Sequence, residues 1–92
     1  MSDDRINGKW TAMAEWASQL DQATEVARQA ILAVHARLDG MPAEGSWDDR
    51  NHTECNERMG ELRGRVDSAL DEMLILAQEI RGLSYRYRDA LG

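Results

Sequence analysis

The sequence predicts an all-α protein, an antiparallel two-helix hairpin that associates with a second hairpin into a four-helix bundle. Three observations lead to this fold class. Helix-forming residues dominate on both sides of one cluster of helix breakers, and apolar residues recur at heptad spacing in each half of the chain. The second half also contains more apolar residues than one partner helix can cover. The 92 residues are expected to form a single domain, 1–92.

The first helix is expected over about residues 10–38. Its apolar or small residues are separated alternately by three and four positions, as in the a/d seam of a coiled coil. These residues are Trp10, Met13, Ala17, Leu20, Thr24, Ala27, Ile31, Val34 and Leu38. Trp16 lies beside this seam and widens the apolar stripe, so it is expected to contact another hairpin.

The connector is expected over about residues 39–50, where the breaking residues cluster. Gly40 suits the position just after a helix, because a left-handed backbone conformation costs glycine little. Pro42, the only proline in the chain, is expected to prevent the helix from continuing. Ser46 and Asn51 are both possible N-caps for the next helix, and the sequence does not decide between them.

The second helix is expected over about residues 51–90. Its predicted seam comprises Cys55, Met59, Leu62, Val66, Ala69, Met73, Leu76, Ile80, Leu83, Tyr87 and Ala90. Leu70, Leu74 and Ile75 lie outside that seam. One antiparallel partner helix covers only a single stripe of the second helix. The free energy gained by burying so thin a core is little more than the entropy cost of ordering the chain. These three residues, together with Trp16, are therefore predicted to form the interface of a homodimer or heterodimer.

The charge balance and the apolar runs exclude several classes of protein. The chain has 17 acidic and 11 basic residues and a formal net charge of −6, which argues against nucleic acid as a partner. The longest apolar runs, 30–34 and 73–77, are far shorter than the roughly 20 residues of a membrane span. The N-terminus lacks a basic segment followed by an apolar one, so we expect no cleavable signal peptide.

No metal or cofactor is expected. His52 and Cys55 are three residues apart and would share a helix face, which could supply two ligands of a metal site. Zinc sites need three or four such ligands, and His35 is the only other histidine or cysteine in the chain. We therefore expect Cys55 to be a seam residue and His52 to be solvated or to cap a helix.

One group of carboxylates resembles part of an enzyme site. MazG-type pyrophosphohydrolases hold Mg²⁺ with a Glu-x-x-Glu pair and a later Glu-x-x-Asp pair, and Glu54 with Glu57 would form the first pair. In the second pair Asp71 is present, but Ser68 replaces the glutamate. A divergent enzyme of this type remains an alternative, whereas we expect the acidic residues to form a solvated face and the protein to have no catalytic residues.

In three features the sequence resembles the WXG (Trp-x-Gly) family of small type VII secretion substrates. They are the two long amphipathic helices, Trp47 in the turn, and the Tyr-x-x-x-Asp pattern of Tyr85 and Asp89 near the C-terminus. The turn motif of the family would fall on residues 47–49, where Asp49 replaces the glycine. The resemblance covers about residues 10–90.

The resemblance implies a function in secretion. Such proteins are made in the cytoplasm and exported, as dimeric four-helix bundles, by a type VII (ESX-like) secretion system without a cleavable signal peptide. Tyr85 and Asp89 would then be the export signal, and the partners would be a related hairpin and the secretion machinery. The alternative with the same fold is an intracellular coiled-coil interaction module, in which Tyr85 has no special role.

Overall fold

The computed structural model describes the backbone of residues 2–91 and the side chains of residues 9–90. It contains two helices, α1 (Ser2–Glu44) and α2 (Arg50–Leu91), joined by a connector of residues 45–49. The described residues include no strand. The predicted all-α helical hairpin is therefore confirmed.

Helix α1 begins and ends outside the bounds expected from the sequence. The expected end at Leu38 is wrong, because α1 passes through Gly40 and Pro42 to Glu44. A proline in the last turn of a helix removes only one backbone hydrogen bond, that of its own missing amide. The connector is accordingly shorter than the expected 39–50.

Gly45, not Gly40, is the glycine that ends α1. Its φ of 74° lies in the left-handed region. The amide of Gly45 donates to the carbonyl of Pro42, and the amide of Ser46 donates to the carbonyl of Met41, both at 3.1 Å. These two bonds form a Schellman motif, which satisfies the carbonyls that the end of a helix leaves without partners.

Helix α2 begins after Asp49, and neither Ser46 nor Asn51 is its cap. Oδ1 of Asp49 accepts a hydrogen bond from the backbone amide of His52 at 3.1 Å. This is the usual geometry of an aspartate N-cap, which satisfies one of the free amides of the first turn. The cap fixes the boundary between the connector and α2.

The chain divides into two compact units. The terminal unit comprises Met1–Thr24 and Asp71–Gly92, and the connector unit comprises Glu25–Leu70. Each unit contains one segment of α1 and one of α2. In the terminal unit the two segments are antiparallel, since Lys9 lies near Tyr87 and Asp21 pairs with Arg81.

The described core of the terminal unit consists of small side chains. Ala17 and Ala77 are fully buried, as are the polar residues Thr24 and Ser84. The Thr24 hydroxyl donates to the backbone carbonyl of Leu20 at 2.7 Å, and the Ser84 hydroxyl donates to the backbone carbonyl of Arg81 at 2.8 Å. Small residues with internally bonded hydroxyls let the two helices approach closely.

The connector unit packs around two buried side chains, His52 and Leu70. The same unit also contains half-buried apolar residues: Ala27, Ile31, Leu38, Met41, Met59 and Val66. Its core thus combines one polar ring with aliphatic side chains, and Nε2 of that ring is hydrogen-bonded to the backbone carbonyl of Leu38.

The predicted seam is confirmed for α1 but is wrong for α2. On α1, Val34 is the only member of the predicted seam that is exposed. Among the α2 residues whose side chains are described, the buried ones are His52, Leu70, Ala77 and Ser84. Most members of the predicted α2 seam are exposed instead: Cys55, Leu62, Ala69, Met73, Leu76, Leu83, Tyr87 and Ala90.

Candidate interaction surfaces

One side of the terminal unit carries an ion pair. Arg81 donates to the carboxylate of Asp21, and both side chains are about one-third exposed. Asp21 comes four residues after the buried Ala17, and Arg81 comes four residues after the buried Ala77. In this antiparallel pair, residues of α1 and α2 that follow a buried residue by the same number of positions therefore lie on the same side of the unit.

The connector unit contains a second polar contact between its helices. Arg28 and Asp67 form an ion pair at 3.3 Å, and Asp67 also lies 3.8 Å from Nε of Arg63. All three side chains are about one-third exposed, so the contribution of each pair to stability is at most about 1 kcal/mol.

A chain of hydrogen bonds extends this contact. Arg63 donates to Nδ1 of His35 at 3.2 Å, and since arginine can only donate, Nδ1 must be the acceptor. Nε2 of His35 then donates to Oδ1 of Asn56 at 3.2 Å, and the Asn56 amide donates to Asp39 at 2.9 Å. These residues, with Leu32 and Ala36, line an open cavity of about 460 Å³. Its polar groups bond to one another and join the two helices.

The terminal unit also has an apolar face, which we define as Trp16, Met73, Leu76 and Leu83. All four side chains are exposed. Trp16, Leu76 and Leu83 each immediately precede a buried residue, whereas the residues of the ion pair each follow a buried residue by four positions. These offsets place the terminal apolar face on the opposite side from the ion pair.

The four residues predicted for a dimer interface occupy different environments. Leu70 is only 5% exposed within the connector unit, where it already packs. In the terminal unit Leu74 is half-buried, while Trp16 is 47% and Ile75 is 55% exposed. Ile75 comes two residues before the buried Ala77, so it points away from both the core and the terminal apolar face.

Trp47 and Asp49, the predicted turn motif, contact each other. The Trp47 indole donates to Oδ1 of Asp49 at 2.8 Å, the same oxygen that caps α2. The indole also meets the ring of His52 edge to face, with a centroid distance of 5.3 Å. Asp49 therefore fixes both the tryptophan and the start of the helix.

Tyr85 and Asp89, the predicted export signal, are both at the surface. Tyr85 is 49% exposed, and the side chain of Asp89 is 73% exposed. Arg88 connects them: its guanidinium lies 4.8 Å from the Tyr85 ring centroid and 3.5 Å from the Asp89 carboxylate. Arg88 also lies 6.0 Å from the Trp10 ring of α1. The sequence analysis missed Arg88, although its spacing of three residues from Tyr85 is a helical-neighbour signal.

The carboxylates considered for an enzyme site are on the surface. Glu54 forms an ion pair with Arg50 at 3.1 Å, and Glu57 and Asp71 are exposed. Within the part of the chain that the structure describes, no three histidine, cysteine or acidic residues are arranged to hold a metal ion. His52 is buried, whereas Cys55 is exposed.

No family model, curated protein or solved structure matches the chain. Over its described residues, neither helix has a segment long and apolar enough to cross a membrane. The interaction surfaces described above are therefore the basis for a functional proposal.

Proposed function

We propose that the protein is a non-enzymatic helical hairpin of the WXG type, exported by a type VII-like secretion system as a dimer with a second hairpin. The main support is the position of Tyr85 and Asp89. They lie one turn apart near the end of α2, and both are exposed. A secretion component can therefore contact the aromatic ring and the carboxylate while the helices stay folded.

Arg88 adds to this recognition surface. Its contacts with Tyr85 and Asp89 hold the ring and the carboxylate in one arrangement. A tyrosine held by a cation loses less conformational freedom on binding than a free one. The expected partner is a groove that accepts an aromatic ring and offers a hydrogen-bond donor to the carboxylate.

Association with a second hairpin has separate support. The described part of both helices exposes large apolar side chains, including Trp16 on α1 and Leu76 and Leu83 on α2. Exposed apolar residues in contiguous patches mark protein interaction sites in soluble proteins. The hairpin thus offers one surface for recognition and another for association.

Export can be tested in a bacterium that has a type VII secretion system, alongside a strain that lacks its secretion ATPase. The unmodified protein is expected in the culture medium of the first strain only. Tyr85→Ala should lower the secreted fraction at least tenfold, because the recognition ring is lost. Arg86→Ala, a change at a neighbouring exposed residue, should leave secretion unchanged and is the matched control.

Two results would contradict the proposal. One is secretion of Tyr85→Ala at the level of the unmodified protein, and the other is an unmodified protein that stays in the cells of both strains. The second result would favour the intracellular interaction module, which requires the exposed apolar residues but no export signal. Circular dichroism of the purified variants would establish that each is still helical.

A further inference from the structure

The hydrogen-bond chain of the connector unit begins at a permanent donor and ends at a permanent acceptor. The Arg63 guanidinium can only donate, and the ionised carboxylate of Asp39 can only accept. His35 and Asn56 lie between them, and the three contacts from Arg63 to Asp39 measure 3.2 Å, 3.2 Å and 2.9 Å. Because both ends have a fixed role, every hydrogen in the chain must point from Arg63 toward Asp39.

This direction requires one protonation state of the His35 ring. The Asn56 amide nitrogen faces the Asp39 carboxylate, so the Asn56 oxygen faces Nε2 of His35 and Nε2 must carry a hydrogen. Nδ1 faces the Arg63 guanidinium and must carry none. The chain is therefore complete only when the imidazole is neutral and has its hydrogen on Nε2.

A proton on Nδ1 would break the chain at one point. Nδ1 would become a donor and would lie 3.2 Å from the Arg63 guanidinium, which is also a donor and also positively charged. The bond from Nε2 to Asn56 could persist, because Nε2 keeps its hydrogen. Protonation would thus remove the contact between His35 of α1 and Arg63 of α2.

The other groups around the ring do not replace this contact. Of the side chains that line the open cavity with His35, only Asp39 and Arg63 are charged. Asp39 lies on α1 itself and is bonded to the Asn56 amide. The remaining neighbour on α2 is Gly60, where an added Cβ would lie 4.0 Å from Cε1 of the ring. Arg63 is therefore the charged side chain of α2 that faces His35.

Arg63 has a second partner to which it can turn. Its Nε lies 3.8 Å from the carboxylate of Asp67, which also pairs with Arg28 of α1 at 3.3 Å. The Arg63 side chain is about one-third exposed, so it can leave the ring without becoming a buried unpaired charge. Its release would weaken one link between the helices while the fold persists.

We propose that His35 makes the connector unit sensitive to mild acid, because a proton on Nδ1 releases Arg63 and loosens the link between α1 and α2. Histidine is the side chain whose charge ordinarily changes between about pH 5 and pH 8, whereas arginine stays charged throughout this range. The unfolded chain takes up the same proton without losing a contact. The unfolded state therefore binds more protons as the pH falls, and the stability of the folded state decreases in acid.

A double-mutant cycle at two pH values tests the proposal. The full chain, His35→Ala, Arg63→Ala and the double variant would be unfolded with urea at about pH 8 and about pH 5, values on either side of histidine titration. The two substitutions should be coupled at the higher pH, and the coupling should be lost at the lower one. His52 is present in all four proteins, so its own titration cancels. Arg65→Ala, at an exposed position of α2, is the matched control and should not couple to His35→Ala at either pH.

The ring of the unmodified protein gives a second measurement, which holds even if a variant fails to fold. Nitrogen-15 NMR shows which ring nitrogen carries the hydrogen, and at the higher pH we expect it on Nε2 of His35. A hydrogen on Nδ1 would overturn the proposal. So would a cycle with no coupling at the higher pH, or with equal coupling at both. None of these measurements involves export, so the result is independent of the proposed function.

Discussion

The imidazole of His52 donates a hydrogen bond from Nε2 to the backbone carbonyl of Leu38 at a distance of 2.6 Å. In a regular helix this carbonyl would accept from the amide of residue 42, but Pro42 has no amide hydrogen. A buried side chain of α2 thus replaces the bond that the proline removes from α1. This contact explains how α1 continues past Pro42.

Replacement of His52 by alanine should therefore destabilise the protein by about 1–3 kcal/mol, because it leaves the Leu38 carbonyl without a partner. The loss should be smaller in a Pro42→Ala background, where residue 42 regains an amide that can bond to Leu38. Urea unfolding of the two single variants and the double variant gives this coupling. Equal losses in both backgrounds would show that the hydrogen bond to Leu38 contributes nothing beyond packing.

Asp49 should be important for stability because it caps α2 and binds the Trp47 indole through the same oxygen. Asp49→Ala is expected to cost about 1–2 kcal/mol in unfolding free energy. Asp49→Asn keeps an acceptor oxygen and should lose much less. Thermal unfolding monitored by circular dichroism checks both variants, and equal stability of Asp49→Ala and the parent would contradict the cap.

Substitution by alanine at two glycines, Gly64 and Gly45, should change the stability of the protein in opposite directions. Gly64 lies inside α2 with open space where a Cβ would be, so Gly64→Ala should stabilise the protein by up to about 1 kcal/mol. Gly45 has a φ of 74°, so Gly45→Ala should destabilise it by about 1 kcal/mol. Chemical denaturation measures both changes. A loss of stability in Gly64→Ala would indicate that this surface contacts another molecule.

A larger residue at Ala77 should not be tolerated. Ala77 has no exposed surface, so Ala77→Leu would force the helices of the terminal unit apart and should cost about 1–3 kcal/mol. Ala12→Leu, at an exposed position of the same unit, is the control and should change stability by less than about 0.5 kcal/mol. Similar unfolding free energies for the two variants would contradict close packing at Ala77.

Local signals were sufficient to predict the helices and the α1 seam. Ala17 and Thr24, two of its members, are buried as expected from their heptad spacing. This prediction succeeded because a three–four spacing specifies one helix face, and α1 has one predominant apolar stripe at that spacing.

The sequence alone determined that this protein is a helical hairpin, because helix formation and its interruption depend on neighbouring residues. Tertiary structure decided which face of α2 turns inward, since α2 has both a small-residue stripe with Ala77 and Ser84 and a large apolar stripe with Leu76 and Leu83. Heptad spacing fits both stripes, whereas the structure buries the first and pairs Arg81 of α2 with Asp21 of α1. Likewise, only the tertiary structure brings His52 near enough to bond to the Leu38 carbonyl, which Pro42 leaves without its helical donor.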